Sequence, residues 1–63
     1  SQNFPRRAVA KRTVNLYKIP GNESTIEASV FVDTPLLMIA VTDDGRWYQL
    51  HDEYWLAADA VME

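Results

Sequence analysis

His51, followed by Asp52 and Glu53, is the one place in this chain where an imidazole stands beside carboxylates. Such a group does proton-transfer or metal chemistry only with further ligands or a nucleophile near it, and the chain has no cysteine and no second histidine. His51 therefore reads as a surface residue. The acid pairs Asp43-Asp44 and Asp52-Glu53 invite comparison with the two carboxyls of a glycosidase. That chemistry needs groups facing one another across a sugar-sized cleft, whereas neighbouring residues of a turn point apart. Both pairs read as turn-forming and solvating. Pro20-Gly21-Asn22 has a single glycine and no lysine opening a helix, so it makes no phosphate loop. Asn22-Glu23-Ser24 fits the N-glycosylation pattern in a predicted exposed loop, usable only in a secretory host. The residues predict no catalytic group, no metal site and no cofactor site, and the chain is expected not to be an enzyme.

What remains is recognition chemistry, carried by Tyr17, Trp47, Tyr54 and Trp55. Along a strand, Trp47 and Gln49 share one face while Tyr48 and Leu50 share the other. With Leu50 in the core, Trp47 points toward loops or a partner, and Trp55 alternates in the same way against Leu56. Two readings follow. Either both indoles cap the ends of the core as lids, or Tyr17, Trp47, Tyr54 and Trp55 form one exposed patch that binds protein, peptide or glycan. A third use, a stacking platform for bases, is opposed by charge. Arg6, Arg7, Lys11, Arg12 and Lys18 precede every acid, and the rest of the chain sets Arg46 against all nine acids. That acidic body repels phosphate over about a Debye length, which argues against a nucleic-acid partner. The basic leading segment is expected to be drawn to its own body or to a preceding domain.

The elements that must position these rings can be read from alternation and turn chemistry. Asp43-Asp44-Gly45-Arg46 supplies a tight reversal between the apolar run 36–41 and a strand over 46–51, a predicted hairpin. The run 36–41 has a length that suits a buried strand. Ile26, Ala28 and Val30 alternate with Glu27 and Ser29, a strand with one face inward, and Phe31 to Pro35 breaks it. Upstream, a strand is expected over 10–17, then a turn at Ile19-Pro20-Gly21-Asn22. Asp52-Glu53 turns into a short strand at Tyr54-Trp55-Leu56, and residues 57–61 fit one closing turn of 3₁₀ helix. Residues 1–9 read as a basic linker or frayed arm, and 10–63 as the domain. Five short strands in so small a chain predict an all-β fold, a sheet closed into a barrel that removes its own edges.

Sixty-three residues make one domain, and one this small buries only about 60% of the surface of its unfolded chain. Without disulfides it depends on a tight apolar core, which a hydrophobic content of 48% permits. No apolar run approaches the ~20 residues that cross a bilayer as a helix, so no membrane insertion is expected. The opening Ser1-Gln2-Asn3-Phe4-Pro5 lacks an initiator methionine, and the sequence is expected to be a domain from a longer chain.

Four segments in order resemble bacterial Src homology 3 domains. Residues 14–21, Val-Asn-Leu-Tyr-Lys-Ile-Pro-Gly, are similar to that family's opening strand and proline loop, and residues 25–30 to the strand segment that follows. Gly45-Arg46-Trp47-Tyr48-Gln49-Leu50 resembles its Gly-x-Trp-Tyr-x-Val hairpin, and residues 54–61 its Gly-Trp-Val and 3₁₀ turn. The likeness covers about Thr13 to Val61. It departs where Tyr17 replaces an arginine, Tyr54 replaces a glycine, and Asp33-Thr34-Pro35 replaces a Lys-Gly-Thr turn. The resemblance implies a small five-stranded SH3-like barrel with a closing 3₁₀ turn, acting as an accessory module of a bacterial or phage protein. It implies peptidoglycan or a partner protein as ligand, and a cell-envelope or extracellular location. It also places Ala57 and Ala60 where eukaryotic relatives carry the Pro and Tyr that wall proline grooves, so an ordinary PxxP ligand is not expected. The rival reading is a structural module that packs on neighbouring domains or forms a homodimer.

Overall fold

The computed structural model describes residues 3–21 and 25–63. Seven strands make up the fold: β1 (Arg6–Ala10), β2 (Val14–Tyr17), β3 (Ile26–Val30), β4 (Pro35–Val41), β5 (Trp47–Leu50), β6 (Trp55–Ala57) and β7 (Val61–Met62). A 3₁₀ turn, Ala58–Ala60, separates the last two. All pair antiparallel in one sheet of order β3-β2-β6-β5-β4-β1-β7. Among the described residues no helix is long and apolar enough to cross a membrane.

Alternation builds the core. Ala8 and Ala10, Val14 and Leu16, Leu36 and Met38, Tyr48 and Leu50, Leu56, Ala60 and Val61 turn inward and form one buried cluster. Because six strands of a single sheet feed that one cluster, the sheet must bend around it. Two irregularities supply bend: the β2–β3 register shifts at Leu16/Tyr17 and the β4–β5 register at Met38/Ala40. At the second, Ile39 has no residue opposite and stands 38% exposed. The run 36–41 is thus a half-buried strand, with Leu36 and Met38 inside, and not the fully buried strand its composition suggests. Met38 and Leu56, both wholly inaccessible, sit at the centre.

Three expectations need correction. Residues 6–10 are not a linker or frayed arm: they form β1, an interior strand hydrogen-bonded to β4 on one side and β7 on the other. Its inward residues are the small methyls of Ala8 and Ala10, which carry little hydrophobic signal, and Arg6 is ion-paired to Glu63. The single strand expected over 10–17 is two, since the chain bends at residues 11–13 and Lys11 N–H donates to the carbonyl of Ala60. Nor does the sheet close into a barrel. β3 pairs only with β2 and β7 only with β1. After β3 the chain turns sharply, with Thr34 N–H donating to Phe31 O and Asp33 at φ +70°, and the turn docks on the end of β1 through Asp33 N–H to Ala10 O. That turn delivers Pro35 to β4, leaving β3 as an edge.

Candidate functional site

The hairpin between β4 and β5 is held by side chains as well as backbone. Gly45 takes φ +74° at the bend, and its N–H donates to Thr42 O. The Thr42 hydroxyl donates to Asp44 Oδ1 at 2.6 Å, the same oxygen accepts Arg46 N–H at 3.0 Å, and Trp47 N–H donates to Thr42 Oγ1 at 3.2 Å. These bonds, led by that from Thr42 and followed by that from Arg46, favour the ionised form and hold the Asp44 carboxyl below the ordinary carboxylate value. The acid that reads as turn-forming in the sequence does that work here. It also fixes the backbone of Trp47.

From that anchor the registers place the rings. Residues directly opposite in a ladder share a face. Ile26 opposes Tyr17, Tyr17 opposes Trp55, Trp55 opposes Gln49, and Gln49 opposes Ala40. Those five residues form a row across five strands on the outer face, away from the core cluster. Trp47 stands two residues from Gln49 on that face, opposite Ala57. The Ala57 methyl is too short to keep the neighbouring rings apart, and Tyr17 meets Trp47 edge-to-face, with centroids 5.7 Å apart and planes at 82°. Neither indole joins the core or packs against it, so the lid reading does not describe them. Both are half-buried, with part of each ring surface left to solvent.

Tyr17, Trp47 and Trp55 are therefore brought together, and Tyr54 is not. Tyr54 alternates with Trp55, shares the side of Leu56, and packs against the core. Its carbonyl accepts Leu50 N–H and its own N–H donates to Asp52 Oδ1, so it closes the β5–β6 turn. Sequence reasoning missed Ile26, 56% exposed at the end of the row. Alternation places it on the inward face with Ala28 and Val30, and the register shift that skips Glu27 turns it outward. Also missed was the open cleft of ≈ 410 Å³ beside Trp47, lined by Gly45, Arg46, Trp47, Ala57, Ala58 and Asp59. Ala58 N–H donates to Arg46 O and ties its two walls together. Ala57 lines the cleft, whereas Ala60 is wholly buried and contributes nothing to it.

The remaining chemistry-bearing residues are dispersed. His51 is exposed in a turn, and among the described residues no three His, Cys, Asp or Glu side chains are grouped to hold a metal ion. Arg6 and Arg12 of the basic leading segment pair with Glu63 and Asp59. The Asn22-Glu23-Ser24 glycosylation pattern lies outside the described residues. No protein-family model matches the chain, and no curated protein or solved structure matches it.

Proposed function

We propose that this chain is a non-catalytic binding module of the SH3-like kind whose outer aromatic face, Tyr17, Trp47 and Trp55, takes a cell-wall peptidoglycan ligand. The observation that carries the reading is the edge-to-face Tyr17–Trp47 pair outside the core beside an open cleft. In a domain with so few large side chains, two indoles left half-open form a recognition surface of the kind that anchors partners. Further support comes from the element order: a two-stranded arm, β2–β3, then a β4–β5–β6 meander, then a 3₁₀ turn and a last strand. From β2 to the 3₁₀ turn these elements follow the order of the four segments that carry the family resemblance, with β1 standing before them. The shallow alanine walls of the cleft argue against proline rings as ligand.

Co-sedimentation with purified peptidoglycan tests the reading. Trp47→Ala is expected to weaken binding by about 30-fold, as for an aromatic anchor, while circular dichroism shows the fold retained. Wild-type protein that stays in the supernatant, or a variant that sediments equally, overturns it. A second reading, self-association or packing on a neighbouring domain, is favoured by one observation: edge strand β3 is followed directly by Phe31, which is 78% exposed, and by the half-exposed Val32. Size-exclusion at two concentrations decides it, since an elution volume that does not move with concentration removes the homodimer.

A further inference from the structure

Arg46 is the one cation that follows Lys18 in the chain, and it lines the cleft beside Trp47. On the opposite rim Asp59 is already matched, its carboxylate 3.0 Å from the Arg12 guanidinium, which also donates to the Asp59 carbonyl. Asp44 feels the charge of Arg46, which lowers it less than either hydrogen bond does, and those hydrogen bonds go to Thr42 and to the Arg46 backbone. Among the described residues no carboxylate lies within ion-pair distance of the Arg46 guanidinium. The cleft thus joins to an indole a positive charge that has no ion-pair partner among the described residues.

The geometry points to a peptide C-terminus as the occupant: its terminal carboxylate pairs with Arg46, and the apolar side chains before it lie on Trp47. This deepens the peptidoglycan reading and rests on it, since it assigns the cleft to the peptide part of that ligand and not to its sugar. A planar guanidinium suits a carboxylate because both oxygens can accept from one fork. A single negative charge is also what this body admits. Eight net negative charges over residues 19–63 oppose a phosphate dianion more strongly than a monoanion. The size agrees as well, for ≈ 410 Å³ is near the lower end of small-ligand sites and holds a few residues, not a long chain.

Two probes differing by one group test it: N-acetylated trialanine with a free C-terminal carboxylate, and the same peptide as its C-terminal amide. Each is titrated into the labelled protein while the Trp47 indole N–H signal is followed. The free acid is expected to bind about fivefold more tightly than the amide, the upper range for a solvent-reached ion pair. Arg46→Gln is expected to abolish that difference, and added salt to reduce it. Equal affinities for acid and amide, with peptidoglycan still captured through Trp47, overturn this inference and leave the broader reading standing. If wild-type protein captures no peptidoglycan, the broader reading falls and takes this assignment with it. An acid preference that survives Arg46→Gln also overturns it, because the carboxylate is then held elsewhere.

Discussion

Asp44 lies open to solvent and still titrates low, because its ionised oxygen is the acceptor that the Thr42 hydroxyl and the Arg46 N–H require. A carboxyl whose folded pKa is depressed contributes stability that is present above its unfolded value and lost as pH falls through the folded one. The β4–β5 turn is therefore expected to keep its support at neutral and mildly acidic pH and to loosen only below the ordinary carboxylate range. Following the Asp44 side-chain carbon by NMR checks this. Thr42→Val should move its titration upward toward the ordinary value, and a wild-type Asp44 already titrating there refutes the account. At this scale the sequence was informative about Trp47, whose outward position follows from inward Leu50 three strand steps away. It misled about Tyr54, since four aromatics near one bend look like a single group until the pleat assigns each to a side.

The turn itself sets the next expectation. Gly45 sits at φ +74°, and a Cβ built there meets nothing within 4 Å. Gly45→Ala should therefore cost only the backbone penalty of a left-handed residue, about 1 kcal/mol. For a domain of this size that is a fall in melting temperature of about 4–8 °C, read by thermal unfolding. A much larger fall would mean that the hairpin register had slipped. Among the elements, β3 to β6 were legible because large apolar residues alternate there and Gly or Asp marks the bends. β1 was not: Ala8 and Ala10 fill the narrow space beneath β4 and β7 with single methyl groups, and arginines flank them. Only the partner strands reveal that such a segment is interior. The 3₁₀ turn, Ala58–Ala60, fell within the expected 57–61, since so short a segment after a strand permits little else.

For the molecule as a whole, the placement of β1 changes what truncation should do. A leading arm could be removed at little cost, whereas deleting residues 1–10 strips a strand from between β4 and β7 and uncovers the cluster at Ala60 and Val61. The shortened protein is expected to lose its cooperative thermal transition by circular dichroism, and retention of a sharp transition near that of the full chain contradicts the sheet order. Overall closure was the least legible property. Strand count and chain length favoured a ring, but the turn at 31–34 docks on β1 and leaves β3 and β7 as separate ends, a long-range outcome that no local pattern encodes.

The pairing of β1 with β7, sealed by Arg6 and Glu63, has a practical corollary. Where the polypeptide enters this unit is also where it leaves, so a host protein could carry it as a bead on a side loop, splicing it in through two adjacent tethers without prising its own framework apart. The aromatic row lies on other strands, β2, β5 and β6, away from that doorway. A tethered copy would leave the Tyr17–Trp47–Trp55 face uncovered by its own tethers.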